Sequence, residues 1–117
     1  MAYRQSIGQA GENEAVDFLL KKGFAVIERN VRIGKGGEID IVASKEQLIV
    51  FVEVKKRSNR TYGGALYAIS EKKKHTLRKT AQMYLINRNL LTKTLMFRFD
   101  LIAIENGEVK WIQDIIR

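Results

Sequence analysis

From residue 7 to residue 22 the apolar positions Ile7, Ala10, Ala15, Val16, Phe18, Leu19 and Leu20 follow a helical stripe rather than an alternation. Gly23, after two lysines, supplies a stop for that helix. Over residues 24–33 the pattern becomes strand-like through Val26, Ile27, Val31 and Ile33, irregular around Asn30, and Gly34-Lys35-Gly36-Gly37 forms a loop. Residues 38–43 then predict a second strand, 44–47 a turn, and 48–56 a third strand. The polar, glycine-bearing stretch 58–64 is a loop. Ser70 is placed to N-cap a long helix to about Asn89, with Leu77, Ala81, Tyr84 and Leu85 on its apolar face. Residues 95–104 and 109–116 predict two last strands around an Asn106-Gly107 hairpin signal, with Phe97, Phe99 and Trp111 in the core. The order α-β-β-β-α-β-β, with antiparallel hairpins and two helices, describes a mixed-sheet α/β or α+β domain.

The central hairpin carries charge where a small core has none. Strand side chains alternate, so Glu38, Asp40 and Val42 share one face, and Ile49, Phe51, Glu53, Lys55 and Arg57 share a face of the next strand. A four-residue loop over 44–47 pairs 43 with 48, 40 with 51 and 38 with 53. In that register both charged sets lie on one face, the other face is wholly apolar, and Asp40 is diagonal to Glu53. Two carboxylates in one site repel unless a cation lies between them. A hard divalent metal serves, and Asp40 followed by Glu53-x-Lys55 offers the carboxylates and the lysine that metal-assisted phosphodiester hydrolysis uses. The competing reading is a wet strand face on which Glu38, Asp40, Glu53 and Lys55 make surface ion pairs. Val42, Ile49 and Phe51 on the same face argue that something packs there.

Composition narrows the chemistry. The chain has 117 residues, one histidine and no cysteine, which excludes disulfides, thiolate metal sites and multi-histidine sites. A metal must therefore be held by oxygen, which favours Mg²⁺, Mn²⁺ or Ca²⁺. The length suits one domain spanning 1–117. No apolar run approaches the ~18 residues of a membrane span, and residues 1–6 lack a secretory apolar segment. A soluble, cytoplasmic protein is expected.

The net charge of +8 is unevenly placed. Residues 1–54 hold 7 basic and 8 acidic side chains, whereas residues 55–98 hold 12 basic side chains and one acid, Glu71. A contiguous basic third is the footprint of a polyanion partner, although a merely solvated basic face has the same composition. Lys72, Lys73 and Lys74 fall in the first turn of the second helix, where cations oppose the helix dipole and an anion offsets them. Lys56, Arg57 and Arg60 are candidate phosphate contacts, and Tyr62 could stack on a base or cap its loop.

The run Gly37-Glu38-Ile39-Asp40-Ile41-Val42 with Phe51-Val52-Glu53-Val54-Lys55-Lys56-Arg57 resembles the PD-(D/E)XK nuclease superfamily. More narrowly, the chain resembles the YraN family of small bacterial proteins, grouped with Holliday-junction-resolvase-like nucleases. Gly11-Glu12, Ala15, Asn30, Arg32, Tyr62-Gly63, Lys73, Ala81, Tyr84-Leu85 and Arg98-Phe99-Asp100 extend the match over most of the chain. It departs from the superfamily name in having Ile39, not proline, before Asp40. The resemblance implies a restriction-endonuclease-like mixed sheet flanked by helices. It also implies Asp40 and Glu53 as ligands of Mg²⁺ or Mn²⁺, Lys55 as the catalytic lysine and Glu12 as the helix-borne acid completing the site. The implied activity is hydrolysis of DNA, including branched or structured DNA in repair or recombination. A non-catalytic nucleic-acid-binding module of the same fold is the alternative, and a homodimer is implied by analogy with two-strand junction enzymes.

Overall fold

The computed structural model describes residues 7–57 and 69–116. Helix α1 (Ile7–Lys21) leads into three strands, β1 (Ala25–Arg32), β2 (Glu38–Lys45) and β3 (Leu48–Arg57). Helix α2 (Glu71–Asn87) crosses to β4 (Met96–Glu105), and β5 (Glu108–Ile112) closes the order α-β-β-β-α-β-β. The five strands lie in one sheet in chain order, parallel between β3 and β4 and antiparallel elsewhere. Among the described residues no helix is long and apolar enough to cross a membrane.

Each face of the sheet is covered by one helix. Ala15 and Leu19 of α1 pack with Phe24, Ile41, Ala43, Val50, Val52, Ile102 and Ile104. On the other face Leu77, Ala81, Tyr84 and Leu85 of α2 pack on Val42, Ile49 and Phe51. The packing partner anticipated for Val42, Ile49 and Phe51 is therefore α2. Phe51 stacks on Phe99 at 5.3 Å and meets the edge of Tyr84 at 6.1 Å. Ser70 caps α2 by accepting the Lys73 amide at 3.0 Å, which satisfies one of the orphan donors of its first turn.

The hairpin register differs from the expected one. Ser44 pairs with Ile49 and Lys45 with Leu48, so the strands run on and the turn is Glu46-Gln47 alone. Val42, not Asp40, lies opposite Phe51, and Ala43 faces Val50 rather than Leu48. The shift of two residues preserves strand parity. The final strand is also shorter than expected. After Ile112 the chain leaves the sheet through Asp114 at a φ of 59°, and Ile116 drops into the α2 core.

Gly37 couples the glycine loop to α2. A Cβ at this position would lie 1.9 Å from Thr80 Oγ1 and 3.2 Å from Thr80 Cβ. Gly37→Ala is expected to cost roughly 1–3 kcal/mol, the range for overpacking a filled site. Urea unfolding measures it, and Thr80→Ala in the same chain should recover part of the loss by removing the hydroxyl. Unchanged stability in Gly37→Ala would show that the loop is not pinned there.

Candidate metal centre

The β2–β3 ladder ends at Ile41 and Val52, although both strands continue. Beyond that point the Val54 amide donates to Asp40 Oδ2 at 2.8 Å, so a side-chain carboxyl takes the place of a backbone acceptor. The regular alternation of β2 also breaks here. Ile39 joins the cluster under α2, whereas Ile41 belongs to the cluster under α1. On the neighbouring strand Asn30 adopts a φ of 54°. The parting of two strands thus makes a gap inside the sheet, and the acids collect in it.

Glu12 enters from α1. That helix covers the face opposite the one expected to carry the site, so Glu12 reaches the gap from the far side of the sheet. Close approach at Gly11 allows this: a Cβ there would sit 2.8 Å from Lys56 Cβ on β3. Oxygen atoms of Glu12, Glu38 and Asp40 lie within 4.8 Å of one another. Glu53 is not one of the three that meet within 4.8 Å, but it lies close enough to Asp40 for its charge and hydrogen bonding to act on that carboxyl. Glu38 was visible in the sequence as a same-face charge beside Asp40, yet the two-carboxylate pattern does not single it out as a ligand. It also accepts from Arg32 Nε at 2.8 Å.

The electrostatics are those of crowded acids. Burial, then the hydrogen bond and charge of Glu53, push the Asp40 carboxyl up to about 8. The Val54 amide works in the opposite direction, and Glu12 adds to the rise. Besides Arg32 at Glu38, Lys73 and Arg29 bring cations to the cluster. Lys73 Nζ is 3.2 Å from Glu53 Oε2, and Arg29 Nη2 is 3.5 Å from Glu12 Oε1 while donating to Asn13 Oδ1 at 2.7 Å. Glu12 Oε1 is buried and, apart from the 3.5 Å contact with Arg29, has no hydrogen-bond partner among the described residues. A buried oxygen without a hydrogen bond, beside further carboxyl groups, is a donor set for a hard cation.

The other sequence-predicted residues separate. Lys55 is half-buried on β3, beside Ala103 of β4, and shares the Glu53 side of its strand by parity. Lys56 is drawn to α1 in an ion pair with Glu14. Arg57 ends β3. Lys74 pairs with Glu71 at 3.4 Å, Lys73 is spent on Glu53 rather than open to a phosphate, and Lys72 is exposed. Arg60 and Tyr62 lie outside the described residues.

The model of the uncharacterised protein family UPF0102 matches residues 11–104. A UPF0102 protein of Shewanella sediminis is 46% identical over 105 residues, covering 90% of this chain and 86% of its own. One from Herminiimonas arsenicoxydans is 42% identical over 113 residues, covering 97% and 88%. One from Dictyoglomus turgidum is 40% identical over 108 residues, covering 90% and 89%. Among solved structures the chain is similar to Hjc of Archaeoglobus fulgidus, a Holliday junction resolvase, with a TM-score of 0.55 over 89% of this chain and 74% of that one. At 16% identity that likeness is one of fold.

Proposed function

The chain belongs to the uncharacterised protein family UPF0102, the YraN family, and from that premise and its resolvase-like fold we propose that it is a divalent-metal-dependent endonuclease acting on DNA, branched or structured DNA included. The observation that carries the reading is the gathering of Glu12, Glu38 and Asp40 within 4.8 Å, with Glu53 close beside Asp40 and a lysine two residues further on. Glu12, Asp40 and Glu53, with Glu38 alongside, would hold Mg²⁺ or Mn²⁺, which when bound would supply Lewis-acid polarisation of the scissile phosphate and activation of water near neutral pH. The protein's own part is positional. The Val54 amide fixes the Asp40 carboxyl, Arg29 and Asn13 hold the approach to Glu12, and the Lys55 ammonium stabilises charge developing on the phosphate. For a metal to enter, Asp40 gives up its proton and the Lys73 contact to Glu53 yields.

Cleavage of linear, flapped and four-way DNA with Mg²⁺ or Mn²⁺ is the test. Wild-type protein is expected to cut at least one of these substrates, and Glu53→Ala and Lys55→Ala to leave no detectable product. Cutting that survives in both variants would remove the site from the reaction. One observation favours a non-catalytic nucleic-acid-binding module instead: Lys73 already neutralises Glu53. Salt-dependent binding without cleavage in any metal would establish that reading.

A further inference from the structure

The basic segment does not present its charge evenly. Lys56, Lys73, Lys74, Arg88 and Arg98 are each committed to an acid of this chain, namely Glu14, Glu53, Glu71, Glu28 and Asp100. Lys35, Lys72 and Lys79 make no ion pair among the described residues, and all three are exposed. They line one groove of about 480 Å³ between the glycine loop and the first half of α2, together with His75. Among the described residues no carboxylate lines it. Gly34 and Gly36 adopt φ of 72° and 81°, and a Cβ on Gly36 would meet nothing within 4 Å, so the loop backbone stands open toward a ligand. The groove adjoins the acidic centre at both walls, through the chain itself at the loop and through an ion pair at the helix. Gly37 and Glu38 follow the loop directly, and Lys73 on the helix touches Glu53.

We propose that this groove holds the sugar-phosphate backbone of the nucleic-acid strand flanking the bond cut at the carboxylate centre, with Lys35, Lys72 and Lys79 as its phosphate contacts. The proposal rests on the nuclease reading. An extended polyanion fits because cations and acids are segregated into two adjoining regions: the acids would hold a metal for the scissile phosphate, and the lysines would take its neighbours along the strand. The α2 N-terminus adds its dipole in the same sense. Backbone contacts of this kind carry affinity and salt dependence rather than sequence preference.

Binding of a fluorescein-labelled DNA duplex, followed by anisotropy in EDTA over a salt series, tests the groove without requiring cleavage. Lys35→Ala/Lys79→Ala is expected to flatten the slope of log K against log salt by about 0.9 for each lysine removed. The matched pair Lys22→Ala/Lys110→Ala, away from the groove, should leave the slope as in wild type. With protein in excess over DNA, the groove variant should still cut, its defect appearing as a raised half-saturating protein concentration. Wild-type slope in the groove variant, or equal flattening in the control pair, overturns the proposal while leaving the nuclease reading intact. Absence of any salt-dependent DNA binding by wild-type protein overturns both. All four lysines are exposed, so thermal midpoints near wild type are expected for both variants.

Discussion

Asp40→Asn is expected to be more stable than the wild-type chain at pH 8 without metal, and to lose all stabilisation by Mg²⁺. Asp40 stands at about 8 in the folded protein against an ordinary value of 3.8. Between those values the folded state holds a proton that the unfolded state has released. Stability therefore falls as pH rises through this window, by at most about 1.4 kcal/mol per pH unit, and levels off outside it. Asparagine removes the slope with little change of shape. Its carbonyl oxygen can accept from the Val54 amide, and its NH₂ can donate to Glu53 as the protonated acid does. The difference between variant and wild type should thus grow from pH 4 to pH 8, to a few kcal/mol, when measured by urea unfolding in EDTA. A divalent cation demands the ionised acid, so its stabilisation of wild type should strengthen over the same range and be absent in the variant. A difference independent of pH would show that Asp40 is not held neutral.

This carboxyl also shows what could be read from the sequence and what could not. Parity alone placed Asp40 and Glu53 together, and parity survives a register error of two residues. The error arose at Glu46, which takes a left-handed φ of 55° that turn preferences reserve for glycine or asparagine. The chain turns in two residues where its polarity suggests four. Glu12 could be nominated by resemblance, but not the side from which it arrives. Which face a helix covers depends on packing across the whole sheet, and only the structure shows α1 on the far side, with the gap between β2 and β3 as the passage. The ligand set that the resemblance implies, Asp40, Glu53 and Glu12 beside Lys55, is complete without Glu38, so the pattern does not nominate it.

The charge asymmetry was legible as a total and misleading residue by residue. A net of +11 over residues 55–98 points to an anion partner, yet Lys56, Lys73 and Lys74 are held by acids brought from α1, β3 and the start of α2. Lys35 lies outside the basic third and becomes part of its surface only when the glycine loop docks on α2. Tertiary contact decides which charges remain available.

Asp100→Ala should cost about 3–5 kcal/mol, the range for leaving a buried charge without its partner. The carboxylate is fully buried and takes four hydrogen bonds. Arg98 binds it through Nε at 2.8 Å and Nη2 at 2.9 Å, Trp111 Nε1 at 2.9 Å, and the Asp114 amide at 2.9 Å. Alanine leaves a half-buried guanidinium and two further donors unsatisfied. It also frees the last segment, whose Ile115 amide bonds to Phe99 and whose Ile116 fills the α2 core. Against a typical net stability of about 5–15 kcal/mol this is a large fraction, and a fall of the thermal midpoint on the order of 10–20 °C follows. Asp100→Asn keeps one acceptor and should lose less. Because Asp100 pairs across the ladder with Val52, one residue before Glu53, the two losses separate by temperature. Well below its midpoint, Asp100→Ala should retain metal-dependent stabilisation, unlike Asp40→Asn. Loss of metal response at that temperature would instead make Asp100 part of the carboxylate centre.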